Sequence, residues 1–173
     1  KNRVIYIKSF SKILMPGLRM GLMVLPKKIQ RVVMEAKYTT DISTSGFLQR
    51  AMAYYLEENG WEKHAAETCR YGSDRYRKML SSMRRYLPEG VSYLQPNGGV
   101  SLWLKLPEGI SAEQFCIRMA EKSVILTSGR QYDIHGTEDT HIRLSFASLS
   151  DDQIEVGLKR MGDTLREMLA ELA

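Results

Sequence analysis

Two short stretches of the chain hold the side chains best suited to chemistry. The first is Ser9-Phe10-Ser11-Lys12, followed by Pro16-Gly17-Leu18-Arg19 and Gly21. A lysine amine attacks a carbonyl only when partial burial or a neighbouring cation favours its neutral form. Lys12 follows an apolar run, stands among hydroxyls and precedes Arg19, a placement that could provide both. Ser9 and Ser11 can donate hydrogen bonds to phosphate oxygens, and the Arg19 guanidinium offers a planar fork that matches two of them. Gly17 and Gly21 allow a tight turn and a close backbone approach. A Ser-x-x-Lys by itself is common in solvated loops, so the reading rests on the whole run. The second stretch is His141-Ile142-Arg143-Leu144-Ser145-Phe146-Ala147. Arg143 stands between two large apolar residues of a strand and so points to the opposite face from them. A half-buried arginine there needs an anion, either a structural carboxylate or a ligand.

The elements that position these residues follow from apolar periodicity. Residues 4–7 form a β-branched and aromatic run that predicts a buried strand, and residues 20–25 predict a second, stopped by Pro26. Ile29, Val32, Val33 and Ala36 share one face of a helix launched after Pro26, which the small polar residues 39–45 break. Leu48, Ala51, Met52 and Tyr55 mark a second helix, ended by Gly60. Residues 61–87 read as one long helix, with Ala65, Cys69, Tyr76, Leu80 and Met83 on its apolar side. Residues 91–94 and 100–106 are strands on either side of Pro96-Asn97-Gly98-Gly99, and 124–126 and 142–146 are further strands. Capping boxes at Ser111 to Gln114 and Ser150 to Gln153 open two helices. The last helix carries the stripe Ile154, Leu158, Met161, Leu165 and Met168. This alternation predicts an α/β or α+β layered fold, divided within the long helix into residues 1–70 and 71–173.

Composition narrows the class. The chain has 173 residues, 43% hydrophobic and 26% charged, as ordinary globular chains do. No apolar run approaches the ~20 residues that span a bilayer, and no signal-peptide pattern opens the chain, so a cytoplasmic location is expected. The 25 basic and 20 acidic residues give a formal charge of +5, scattered rather than striped, which argues against nucleic-acid binding by this segment. Cys69 and Cys116 lack metal-ligand spacing and read as reduced, small apolar residues; no metal site is expected. The chain opens with Lys1 rather than Met, and an apolar run starts within three residues of it, which predicts an upstream portion.

The run from Ser9 to Gly21 resembles the lysine-bearing segment of fold-type I pyridoxal 5′-phosphate (PLP) enzymes, in particular the class I/II aminotransferases. There an apolar strand leads into Ser-Phe-Ser-Lys, then Pro-Gly-Leu-Arg, then a small-residue strand. The resemblance implies that Lys12 forms the internal aldimine, that Ser9 and Arg19 bind the cofactor phosphate with Ser11 as a further candidate, and that Arg143 grips the substrate α-carboxylate. Pro96-Asn97-Gly98-Gly99 and Trp103 are similar to the family's path into its small domain. Nearly the whole chain is covered, but only the latter part of the family's fold. That makes residues 1–70 the C-terminal remainder of the large PLP-binding domain. Residues 71–173, with the linking long helix, become a complete α+β small domain with a mostly antiparallel sheet.

The likeness is closest to α-aminoadipate and aromatic aminotransferases and to the aminotransferase-like domains of winged-helix (GntR/MocR-type) regulators. It implies a homodimer exchanging an amino group between an amino acid and a 2-oxo acid or, alternatively, an effector-sensing domain of a transcriptional regulator. Ser128-Gly129 departs from the family's usual proline-glycine, and Lys8 stands where a small residue usually ends the strand. The aspartate that pairs with the pyridine nitrogen lies upstream of the lysine in the family, in sequence this chain does not contain. The chain alone is therefore expected to have little transaminase activity and to bind PLP weakly. His64, with Arg70 and Tyr71, has counterparts in both groups but reads as a packing residue without a role.

Overall fold

The computed structural model describes residues 3–58 and 60–173. Two units, Lys1–Cys69 and Arg70–Ala173, divide the chain inside its longest helix.

In the first unit, β1 (Tyr6–Ser9) and β2 (Gly21–Val24) pair antiparallel, with Ser9 opposite Gly21 and Tyr6 opposite Val24. The Phe10 amide adds a rung by donating to the Met20 carbonyl at 3.1 Å. Gly21 is required there, because a Cβ would lie 2.8 Å from the Lys8 carbonyl oxygen. The first strand starts later than its apolar run suggests and is not buried: Tyr6 is 53% exposed and Ile7 67%. A β-branched run favours extended backbone, but burial also needs a covering layer, and none of the described residues covers this two-stranded ribbon.

Helix α1 (Lys27–Asp41) runs through the threonines expected to break it. Both hydroxyls turn back onto the helix, Thr39 and Thr40 donating to the Ala36 carbonyl at 2.9 and 2.8 Å. Ile42, at φ 56°, then ends it. Helix α2 (Gly46–Glu57) is capped by the Ser45 hydroxyl. Gly60 does not stop that helix; it is the first residue of α3 (Gly60–Tyr86). Phe10, Pro26 and Met52 are the buried residues of this unit among those described.

The second unit has a large core of its own. Strands β3 (Ser92–Tyr93), β4 (Ser101–Lys105), β5 (Thr127–Ser128) and β6 (His141–Ser145) form an antiparallel sheet in the order β3-β4-β6-β5. Leu102, Leu104, Ile142 and Leu144 fill one face. They meet Met79 and Met83 of α3, Phe115 and Met119 of α4 (Ala112–Glu121), and the stripe of α5 (Asp151–Leu172). All five stripe residues, Ile154, Leu158, Met161, Leu165 and Met168, are buried. The strand expected at 124–126 lies later, at Thr127–Ser128, because the preceding residues close α4. The amides of Lys122 and Val124 both donate to the Met119 carbonyl, and Ser123 turns with φ 59°. The capping box at Ser150 is reciprocal. At Ser111 only the hydroxyl half forms, accepting from the Gln114 amide at 3.2 Å.

Helix α5 meets the end of α3 at Gly162, where a Cβ would run into the Tyr86 carbonyl oxygen. A backbone obstacle cannot swing aside as a side chain can. Gly162→Ala is expected to lower the unfolding free energy of the chain by about 1–3 kcal/mol in urea titration. Gly157→Ala, in the same helix but facing open space, is expected to raise it by about 0.5–1 kcal/mol, since alanine limits only the unfolded chain there.

Candidate functional site

The Lys12 loop begins where β1 ends. Strand alternation turns Phe10 inward, 9% exposed, and leaves Ser9 outward. The chain then makes one helical turn, the amides of Ile13 and Leu14 both donating to the Phe10 carbonyl at 3.2 and 2.9 Å. Lys12 stands on the outer side of that turn and is exposed, against the expectation of partial burial. The turn buries its Phe10 side, and none of the described residues covers the other.

The Ser9 hydroxyl oxygen accepts from the Ser11 amide at 3.3 Å, which leaves its proton available to donate. Arg19 is exposed and adopts the left-handed conformation, φ 47°, closing the short 3-10 turn Pro16–Leu18. Among the described residues, neither Lys12 nor Arg19 has an acidic partner; this unit's ion pairs join Arg31 to Glu35 and Lys37 to Asp41. An amine, a hydroxyl proton and a guanidinium thus stand on one loop without acceptors among the described residues. Those donors fit a group bearing an aldehyde and a phosphate. None of the cavities of 350 to 560 Å3 found in this structure is lined by Ser9, Lys12 or Arg19.

In the second unit, Arg143 lies on the sheet face away from the core, opposite Trp103 on β4 and Thr127 on β5. Its Nε donates to the Ser101 hydroxyl at 3.3 Å and its Nη1 to the Tyr132 hydroxyl at 3.1 Å. No carboxylate pairs with it among the described residues. The neighbours therefore fix the guanidinium plane without neutralising its charge, and Nη2 has no partner in this group. Neither Ser101 nor Tyr132 was expected from sequence. Ser101 shares a strand face with Trp103, a signal that alternation contains; Tyr132 sits on a 3-10 turn, Gly129–Tyr132, which periodicity does not mark.

The loop carrying Tyr132 is tied by two carboxylates. Asp133 accepts from the Thr137 amide at 2.7 Å, and from the His135 and Glu138 amides and the Thr137 hydroxyl, which hold its pKa at about 2. Glu138 bonds His141 at 3.0 Å and the amide and hydroxyl of Thr140, and is likewise lowered to about 2. His141 stacks on Trp103 with ring centroids 5.6 Å apart, and Tyr132 meets the same indole edge-on at 5.5 Å. Burial pushes the Cys116 thiol up to about 11, so it is no nucleophile near neutral pH. No group of His, Cys, Asp and Glu among the described residues could hold a metal ion, and no helix is long and apolar enough to cross a membrane.

Residues 1–161 match the family model "Aminotransferase class I and II", and the chain belongs to that family. It is 34% identical over 168 residues to the 2-aminoadipate transaminase of Thermus thermophilus, covering 96% of this chain and 42% of that protein. Aromatic-amino-acid aminotransferase 1 of Thermococcus litoralis is 31% identical over 96% of this chain and 40% of its own length. The uncharacterized HTH-type transcriptional regulator YisV of Bacillus subtilis is 27% identical over 98% of this chain and 34% of its own length. Among solved structures, kynurenine aminotransferase of Pyrococcus horikoshii, determined in complex with PMP, superposes with a TM-score of 0.93 at 36% identity, over 98% of this chain and 42% of that one. The chain thus spans about two fifths of the aminotransferases it matches.

Depressed carboxyl pKa values contribute stability above the unfolded value, ~4 for Asp and Glu, and that contribution disappears as pH falls through about 2. The Asp133–Thr140 loop is expected to stay closed at pH 5 and to open between about pH 4 and 2. Carbon-detected titration of the Asp133 and Glu138 carboxyls measures it; midpoints near 4 for both would contradict it.

Proposed function

We propose that this chain is the C-terminal part of a PLP-dependent aminotransferase that moves an amino group between an amino acid and a 2-oxo acid. The observation that carries the reading is the Lys12 loop, which has an amine, a hydroxyl and a guanidinium without acceptors among the described residues at the family's lysine motif. In this reading Lys12 bonds the cofactor through Nζ, and Ser9 and Arg19 hold its phosphate, with Ser11 beside them. The Arg143 guanidinium, already oriented by two neutral oxygens, holds the substrate α-carboxylate. PLP, when bound, supplies an electron sink for the bonds that break at the substrate α-carbon. Lys12 Nζ, once released, would take the proton from that carbon as general base and deliver it to the cofactor carbon as general acid. A homodimer and a cytoplasmic location accompany this reading.

The likeness to YisV supports a second reading, an aminotransferase-like domain that senses an effector within a transcriptional regulator. A winged helix-turn-helix encoded in the same gene would favour it.

Because the matched relatives are more than twice as long, the chain alone is expected to show little or no amino transfer and to bind PLP weakly. Borohydride reduction after incubation with PLP, followed by peptide mapping, is expected to trap the cofactor mainly on Lys12. Lys12→Ala should remove that label and Arg19→Ala should lower it several-fold, the size expected for loss of one charge-assisted phosphate contact. Uniform labelling of surface lysines would sink the assignment of Lys12, whereas saturable, tight binding would sink only the expectation of weakness.

A further inference from the structure

Among the described residues, one side-chain hydrogen bond ties the turn that presents Lys12 to a helix of its unit. His64 of α3 places Nε2 2.7 Å from the Ile13 carbonyl oxygen. A carbonyl can only accept, so Nε2 carries the proton, as it does both in one neutral tautomer and in the imidazolium.

The Ile13 carbonyl needs such a partner. Residues Phe10 to Leu14 make a single turn that does not continue, because Met15 is extended at φ −152° and ψ 133°. No backbone amide among the described residues donates to that oxygen. The other contacts of this segment are loose: Leu14, Met15 and Leu18 face Leu48, Met52 and Tyr55 across an apolar cavity of 350 Å3, with His64 in its wall. Dispersion across a gap fixes position poorly, whereas a short hydrogen bond to the peptide next to Lys12 fixes it well. Thr68, one helical turn on, lies 3.4 Å from the same nitrogen and adds a weak second contact.

We propose that His64 is a positioning residue that locks the Lys12 turn through an Nε2–H···O=C bond to Ile13 and thereby fixes where the amine stands. The structural half stands on geometry alone, and its functional meaning rests on the assignment of Lys12 made above.

The test compares His64→Phe, which keeps a ring but has no donor, with His64→Gln, whose amide nitrogen reaches about as far as Nε2. The amides of Ile13 and Leu14 both donate to the Phe10 carbonyl, so their hydrogen exchange reports the turn. His64→Phe is expected to speed that exchange about tenfold, as loss of one buried hydrogen bond does, with the amides of α4 and α5 unchanged. His64→Gln should restore most of the protection, and PLP trapping on Lys12 should follow the same order. Unchanged exchange in His64→Phe, or a His64→Gln that behaves like it, overturns the proposal. Should the phenylalanine variant not fold, nitrogen-15 spectra of the intact chain decide: neutral His64 protonated at Nε2 supports the lock, and protonation at Nδ1 overturns it. A chain that shows the exchange effect but labels its lysines uniformly keeps the lock and loses the assignment of Lys12.

Discussion

A β-strand shows its residues alternately to two faces, and this one constraint decides on which face Ser9 and Arg143 stand. In β6, Ile142 and Leu144 must enter the core, so Arg143 must leave it. The register with β4 sets Leu104 against Ile142 and Trp103 against Arg143, which puts the guanidinium beside an aromatic surface. A slip by one residue would carry a charge into the core and two large apolar residues out of it, at a cost of several kcal/mol. At the end of β1 the same rule works on a smaller scale. Phe10 goes in, Ser9 stays out, and the turn that follows sets Lys12 on the outside.

The two units meet this constraint with unequal means. The second buries a continuous core from three helices and four strands, so the outer face of its sheet is held by many contacts. The first buries Phe10, Pro26 and Met52 among its described residues and leaves Val24 58% and Ile7 67% exposed. Its loop is consequently held by few interactions, each of which matters more. Ser9 to Ser11, Phe10 to Met20 and His64 to Ile13 account for much of the polar framework around Lys12.

Much of the fold was legible in the sequence, and the misses share a cause. The α5 stripe and its capping box are local patterns, set by helical period and by side chains a few residues apart, and both are present as expected. Burial of β1 is not local: the run Val4-Ile5-Tyr6-Ile7 fixes extended backbone, but what covers it is a property of other segments. Thr39 and Thr40 look like helix breakers until their hydroxyls bond back to Ala36. Residues 124–126 look like a strand until α4 takes Val124 for its own closure. The motifs name Lys12 and Arg19 in one unit and Arg143 in the other, while the bonds that Ser101, Tyr132 and His64 make become visible only when contacts between distant segments are seen.

An unpaired cation does not by itself mark a site. Arg50 and Lys63 also lack carboxylate partners among the described residues, yet they are exposed and water hydrates them. Arg143 differs because it is half-buried and its orientation is already determined by two neutral oxygens, Ser101 and Tyr132. Elsewhere in the same unit, several guanidinium groups are matched by acids: Arg118 with Glu171 at 2.6 Å, Arg166 with Asp163 at 3.0 Å, and Arg130 with Glu113. A carboxylate in place of either neutral oxygen would stabilise Arg143 more and would also cancel the charge that attracts an anion. Neutral partners keep the group ordered and leave its field intact, with the orientational entropy of the side chain already lost. The arrangement is less stable than an ion pair and leaves the charge uncancelled, which is what the proposed role of a carboxylate grip would require.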